Sequence, residues 1–281
     1  MKGKSSTIIV ICLFLAGLSL LLYPTVSNFV NTWYHSQLIN EYTQQVSQQE
    51  SGENQKLWEA ASDYNSRLPG RVSGQSLSEE MREEYLTLLN ASGNGVMGYV
   101  EVPAINCSLP IVHGTEASDL LDAVGHLEWS SLPVGGESTH CVVSGHSGLP
   151  SAELFTNIDH LDIGDRFVLH VLGEELVYIV DHIAVVDPYD YTLLGIVEGK
   201  DYATLVTCTP YGINSHRLLV RGIRVEERLE NEFQALPVAS EVTPVDAGRI
   251  VPVALAVLLV LLFVWLLLGG RGLKGGKYAK K

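Results

Sequence analysis

Two apolar segments, one near each end of the chain, limit how the rest of it can fold. The first runs from Thr7 to Tyr23, and the second, Ile250–Leu268, is 19 residues long with Pro252 as its only helix breaker. As a helix, the second would be about 28 Å long, which is enough to cross the hydrocarbon core of a bilayer. The first fits either a signal peptide or an uncleaved anchor. We therefore expect two transmembrane helices that flank a central region.

Basic residues at the outer ends of these segments predict the orientation of the chain. Both outer flanks carry only cations: Lys2, Lys4, Arg271, Lys274, Lys277, Lys280 and Lys281. Because cationic flanks stay on the cytoplasmic side, both termini are expected in the cytoplasm and about residues 24–248 outside. The sequence thus predicts a two-pass protein of the cell membrane with an extracytoplasmic central domain.

The central region is strongly acidic. The seven flanking cations leave 11 of the 18 Lys and Arg residues against 32 Asp and Glu, a formal charge of −21. Phosphate backbones would be repelled by such a surface, so nucleic acid is excluded as a partner class. The charge favours solubility beside a membrane or the binding of cationic partners.

The first part of the central region, residues 28–94, is predicted to be a helical extension. It is polar with spaced apolar side chains, a pattern of one or two amphipathic helices that are interrupted at Ser51-Gly52. The small polar residues of Pro69–Ser78 predict a loop, which precedes a short charged helix near Glu79–Leu89.

The second part, residues 95–226, alternates with period two in seven or eight segments and predicts a mainly β barrel or sandwich. Short helices are expected between strands at Ala117–Val124 and Ala152–Ile158. Residues 227–248 are acidic and contain proline, which is typical of a linker. The predicted organisation begins with a tail and membrane anchor at 1–27 and the helical extension at 28–94. The β-rich domain at 95–226 and the linker at 227–248 follow, and the second span with its basic tail occupies 249–281.

The cysteines point to a reactive thiol. Cys107, Cys141 and Cys208 lie outside the apolar segments and cannot all pair with one another, so at least one thiol is free in a compartment where disulfides form. Cys107 and Cys141 sit inside strand patterns typical of a core, and a disulfide between them is an open alternative. Spacing such as Cys-x2-Cys, which marks zinc sites, does not occur, and the sequence indicates neither a metal nor another cofactor.

Three residues at strand ends form a candidate nucleophilic site. Cys208 ends the apolar strand ATLVTC, and Arg217 begins the next strand nine residues later. If these strands are antiparallel neighbours, the guanidinium lies beside the thiol, where it would lower the thiol pKa and offer donors to an oxyanion. His146, in the segment SGHSG, follows directly after another apolar strand, at the same kind of strand end. It would supply the base.

The segments TLVTCTP, SGHSG and HRLLVRG resemble the motif around the nucleophile, the catalytic-histidine segment and the catalytic-arginine strand of the sortase family, over about residues 95–226. The resemblance implies an eight-stranded β-barrel and a cysteine transpeptidase. It also implies that Cys208 is the nucleophile, His146 the acid and base, and Arg217 the group that stabilises the transition state.

Within that family, TCTPYGINSHRLLVRG, the helical extension and the second span resemble the class C enzymes. These polymerise pilins by joining an LPxTG-like sorting signal, cleaved between Thr and Gly, to a lysine amine. The resemblance implies LPxTG-bearing pilins or surface proteins, and an amine acceptor, as partners. The alternatives are a housekeeping sortase that anchors proteins to the cell wall and a surface scaffold without catalysis.

One feature departs from class C. Those enzymes carry a lid with an Asp-Pro-aromatic motif before the barrel, and residues 66–95 contain none. The Asp187-Pro188-Tyr189 sequence lies instead between two predicted barrel strands. We therefore expect any lid to be loosely held, or the pocket to be filled by Tyr64, Arg67 or Leu68.

Overall fold

The computed structural model describes residues 2–50, 52–116, 120, 123–225, 253–261 and 263–264. The chain divides into two compact units, residues 30–233 and the two ends, 1–29 with 234–281. The predicted linker at 227–248 lies outside the described residues, as does most of the predicted helix at Ala117–Val124.

The first helix, α1 (Lys2–Gln48), is long enough to hold the first apolar segment and the start of the extension. From Ile9 onwards it contains an 18-residue window with a mean hydropathy of 2.4, so its length and composition suit a membrane span. Of the second predicted span, the structure describes residues 253–261 and 263–264, and these have helical backbone. Phe263 stacks on Phe14 with ring centroids 4.1 Å apart, within the unit formed by the chain ends.

The extension breaks where the sequence predicts. After α1, helix α2 (Glu53–Ser66) begins behind Gly52, whose φ of 97° is a left-handed conformation that suits glycine. Helix α3 (Glu79–Thr87) begins at Ser78, whose hydroxyl accepts a hydrogen bond from the amide of Met81. Fully buried tyrosines on each helix pack into the barrel core: Tyr42, Tyr64 and Tyr85.

Eight strands close into a barrel, which confirms the predicted mainly β fold. Their order around the barrel is β1-β2-β3-β4-β7-β8-β6-β5. The strands are β1 (Val96–Val102), β2 (Cys107–His113), β3 (Val124–His126), β4 (Thr139–Ser144), β5 (Arg166–Val171), β6 (Glu174–Val186), β7 (Asp201–Thr209) and β8 (His216–Arg224).

Two details differ from the sequence prediction. The short strand β3, which pairs parallel to β2, begins at Val124, where a helix was expected to end. A side chain at Gly125 would collide with the carbonyl oxygen of Gly114, so a glycine is required for this close pairing. The helix expected at Ala152–Ile158 does not form, so this prediction is wrong. Phe155 donates its amide to the carbonyl of His146 instead of to a helical partner, and only a 3-10 turn forms, at Ile158–His160.

Candidate active site

Cys208 and Arg217 are direct partners across β7 and β8. Because side chains alternate between the two faces of a strand, paired residues project from the same face, with Cβ atoms about 5 Å apart. On the same face of the barrel wall, the next pair inward is Val206 with Leu219. The structure therefore places the thiol and the guanidinium side by side above an apolar surface.

The Arg217 guanidinium is anchored at the rim of this surface. Its Nη1 donates hydrogen bonds to the carbonyl oxygens of Asn214, at 3.3 Å, and His216, at 3.0 Å. Asn214 lies in the segment that joins β7 to β8, and His216 is the first residue of β8. These bonds orient one edge of the planar group, and a planar guanidinium offers five donors in all.

The segment that carries His146 is tied directly to the strand that carries the cysteine. The amide of Gly145 donates to the carbonyl of Val206 at 3.0 Å, and the buried hydroxyl of Thr207 donates to the carbonyl of Gly145 at 2.7 Å. Thr207 precedes Cys208, and Gly145 precedes His146. A single side-chain hydrogen bond therefore links the residues next to the two reactive side chains.

All three predicted site residues line one cavity of about 320 Å³. Its floor is formed by apolar side chains of the outer barrel face and the loops above it, among them Leu127, Val186, Leu194, Val206 and Leu219. Most of these belong to a small hydrophobic cluster separate from the barrel core. The cavity thus combines an apolar bed with a thiol, an imidazole and a guanidinium, which suits an extended peptide bound across a nucleophile.

The connection between β6 and β7 forms one wall of this cavity, through Pro188, Tyr189, Asp190 and Tyr191. The Asp187-Pro188-Tyr189 sequence lies between two barrel strands, as predicted, and not in the segment before the barrel. Two of its residues, Pro188 and Tyr189, line the same cavity as Cys208. Its position depends on how a connection of 14 residues folds, which no local pattern reports.

A buried histidine fixes this connection. His140, on β4, lies with Nδ1 2.9 Å from the carbonyl of Gly195 and Nε2 2.7 Å from the hydroxyl of Thr204. Because a carbonyl only accepts, Nδ1 must carry the proton and Nε2 accepts from the threonine. Burial lowers the pKa of His140 to about 4, so the imidazole stays neutral and holds this arrangement near neutral pH.

The expected lid segment does not fill the cavity. Tyr64 and Leu68 are buried in the barrel core, and Arg67 forms an ion pair with Glu84, so the alternative that one of them occupies the pocket is wrong. Among the described residues that line the cavity, none comes from 66–85.

The other candidate residues lie elsewhere. Cys107 and Cys141 are both free thiols, which rules out the disulfide alternative in this structure. Burial raises the pKa of Cys107 to about 12 and raises that of Cys141 further, so both stay protonated. Within the described part of the chain, no three His, Cys, Asp or Glu residues are grouped to hold a metal ion.

Two other polar residues of β8, His216 and Arg221, form contacts with acidic side chains. His216 is exposed, with Nδ1 2.8 Å from the Ser215 hydroxyl and Nε2 3.7 Å from Asp187. Arg221 forms a salt bridge with Asp181, to which it donates two hydrogen bonds of 2.9 Å.

Sequence reasoning missed Thr207 and Tyr191. Thr207 is the fourth letter of the TLVTC segment, and its place beside the nucleophile was a signal that could have identified it. Tyr191 lies in a loop with no motif of its own, and only the folded chain shows that it contacts the cavity.

Comparison with known proteins places this site in context. A family model described as the Sortase domain matches residues 100–225. Sortase D of Bacillus subtilis is 30% identical over 162 residues, which cover 57% of this chain and 78% of that protein.

Solved structures of similar fold include two class C enzymes. Sortase C1 of Streptococcus agalactiae is 44% identical with a TM-score of 0.67, and the match covers 68% of this chain and 100% of that one. Sortase C of Streptococcus pneumoniae is 43% identical with a TM-score of 0.59, over 68% and 97% of the two chains.

Proposed function

The chain belongs to the sortase family, and we propose that it is a membrane-anchored class C transpeptidase. It would cleave an LPxTG-like sorting signal between Thr and Gly and transfer the acyl group to the lysine amine of a pilin. The observation that carries the proposal is the cavity lined together by Cys208, His146 and Arg217.

Support for class C comes from overall similarity. The sortase C structures match about two thirds of this chain at 43–44% identity. The pneumococcal enzyme is described for its pilin substrate specificity. The part of α1 after residue 29, together with α2 and α3, belongs to the compact unit 30–233, and the tyrosines of these helices are buried against the barrel.

In the first half of the reaction, the Cys208 sulfur attacks the carbonyl carbon of the threonine in the sorting signal. The C–S bond forms while negative charge develops on the carbonyl oxygen, and Arg217 on the neighbouring strand donates hydrogen bonds to that oxygen. The C–N bond then breaks, and protonated His146 gives its proton to the leaving glycine amine. The product is a thioester on Cys208.

In the second half, a lysine amine attacks the thioester carbon. His146, now neutral, removes a proton from the attacking nitrogen, the C–S bond breaks, and the thiolate of Cys208 is regenerated. The result is an isopeptide bond between two proteins.

Membrane attachment follows from the chain ends. We propose that the apolar helix from Ile9 anchors the protein and that Ile250–Leu268 crosses the membrane a second time, with both tails in the cytoplasm. Such anchoring would hold the cavity close to substrates that emerge from the membrane.

The full chain in detergent micelles, incubated with an LPxTG-type peptide and a lysine-bearing acceptor peptide, tests the proposal. We expect mass spectrometry to find the two peptides joined by an isopeptide bond. Cys107→Ala is the matched control, because it removes a thiol outside the cavity and should leave the product unchanged. Preference for a short peptidoglycan-type amine over lysine would instead favour the housekeeping role, and no product with any amine would contradict a transpeptidase.

A further inference from the structure

The loop Pro69–Ser78 does not line the catalytic cavity itself, but it packs against Tyr191, which does. Gly74 lies so close to this ring that an added Cβ would be 2.6 Å from Cε2 and 3.0 Å from Cγ. A Cβ on Gly195, in the same β6–β7 connection, would lie 3.3 Å from the Ser73 hydroxyl oxygen. Two neighbouring residues of the loop therefore pack on two points of the β6–β7 connection, one of which, Tyr191, lines the cavity.

Tyr191 is held on a second side by Trp129. The two rings meet edge to face, with centroids 5.5 Å apart and an interplanar angle of 70°, a favourable geometry for an aromatic pair. Both side chains pack against the apolar cluster of Val142, Leu194, Val206 and Leu219. Tyr191 also lines the cavity that contains Cys208.

We propose that Tyr191 is a specificity-determining residue of this enzyme, and that the loop Pro69–Ser78 sets its position through Gly74. The ring stands between the loop and the bound peptide, beside an apolar bed that suits an aliphatic side chain. A shift of the ring towards the cavity narrows the space for that side chain, and loss of the ring widens it. The proposal rests on the proposed transpeptidase function.

The chain offers a matched pair of glycines for the test. Gly70 and Gly74 lie in the same loop with similar positive φ angles, +86° and +78°, so alanine strains the backbone alike at both positions. At Gly70 an added Cβ meets nothing within 4 Å, whereas at Gly74 it meets the Tyr191 ring. The difference between the two alanine variants therefore isolates the contact with Tyr191.

We expect Gly74→Ala to raise KM for an LPxTG-type peptide at least fivefold with a smaller change in kcat, and Gly70→Ala to stay within twofold of wild type. In a chain that already carries Tyr191→Ala, the Gly74→Ala substitution should have no further effect on KM, because no ring remains to be displaced. Two peptides are compared, one with Leu and one with Phe at the leucine position of the LPxTG motif. Tyr191→Ala alone should shift the ratio of their kcat/KM values at least tenfold in favour of the Phe peptide. Tyr191→Phe, which keeps the ring, should leave that ratio unchanged.

A second readout does not depend on turnover. The rates at which a small and a bulky aromatic thiol reagent modify Cys208, followed by mass spectrometry of the Cys208 peptide, report the width of the cavity. Gly74→Ala should slow the bulky reagent more than the small one, and Tyr191→Ala should do the reverse. If the wild-type protein turns over no peptide, the proposed function fails. The reagent rates still test whether Gly74 and Tyr191 set the width of the cavity.

Three results would overturn the proposal. One is equal behaviour of the two glycine variants, and another is an effect of Gly74→Ala that persists after Tyr191→Ala. If Gly74→Ala does not fold, as judged by its thermal transition, the Tyr191→Ala and Tyr191→Phe pair decides alone. The third result that would overturn the proposal is that Tyr191→Ala and Tyr191→Phe show the same peptide ratios and the same reagent rates.

Discussion

Cys208 and Arg217 stand directly opposite each other on β7 and β8, at the point where the two strands separate into a loop. Backbone pairing thus fixes the separation of the two residues' Cα and Cβ atoms, from which the thiol and the guanidinium project on the same face. The guanidinium is additionally held by carbonyl oxygens of Asn214 and His216. Such fixed donors suit a developing oxyanion, because they need little reorganisation during the reaction.

Arg217→Lys separates charge from geometry. Lysine keeps the positive charge but loses the planar, paired donors, so peptide cleavage should remain at least tenfold below wild type and near the level of Arg217→Ala. Steady-state kcat/KM for an LPxTG-type peptide measures this. Recovery of most activity in the lysine variant would mean that Arg217 acts through charge alone. Arg221→Lys, in the Asp181 salt bridge away from the cavity, is the control and should retain activity.

His146→Ala should lower kcat at least a hundredfold, since general acid-base groups contribute about 10² to 10⁴ in rate. The slow step should be formation of the thioester, which requires a protonated leaving amine. Single-turnover kinetics with mass detection measure that step. His216→Ala serves as the comparison, because His216 lies outside the cavity lining and contacts Asp187. If His216→Ala were the more damaging variant, the proton-transfer role would belong to His216.

Thr207→Val tests the bond between the two reactive segments. Valine matches threonine in shape but cannot donate to the Gly145 carbonyl, which would be left buried without this partner at a cost of about 1–3 kcal/mol. We expect kcat to fall about tenfold or more with little change in KM, because misplaced reactive groups slow the chemistry rather than binding. Thr207→Ser keeps the hydroxyl and should restore most of the rate. A valine variant within twofold of wild type in kcat would contradict the positioning role.

Buried histidines make stability depend on pH. Burial lowers the pKa values of His126 and His140 to about 4, whereas both titrate near 6.5 in the unfolded chain. Their contribution to stability is therefore complete above pH 6.5 and is lost as the pH falls from 6.5 towards 4. The free energy of unfolding should fall by up to about 2.7 kcal/mol per pH unit there, the slope for two protons.

Urea unfolding between pH 7 and pH 5 measures this slope. His140→Gln removes one titrating group and should reduce the slope by about one proton, whatever its effect on absolute stability. An unaltered slope in His140→Gln would contradict a neutral, buried His140 in the folded protein.

The parts predicted from sequence are those encoded by local pattern. Period-two alternation indicated the strands, and strand ends placed Cys208 and Arg217 on one face, because neighbouring antiparallel strands put paired residues together. The parts that were missed depend on tertiary contacts. β3 is only three residues long and forms against β2 because Gly125 allows a close approach, and Tyr191 becomes a cavity wall only through Trp129 and Gly74.

Trapping the covalent intermediate tests the central claim most directly. The full chain is incubated with an LPxTG-type peptide without an amine acceptor, quenched in acid and digested for mass spectrometry. We predict a thioester between the threonine carbonyl and Cys208, with release of the glycine-containing fragment, and its loss in Cys208→Ala. Cys141→Ala should retain the adduct, because this thiol is buried in the barrel core. An acyl group on any other residue, or cleavage that continues in Cys208→Ala above a tenth of the wild-type rate, would contradict the account.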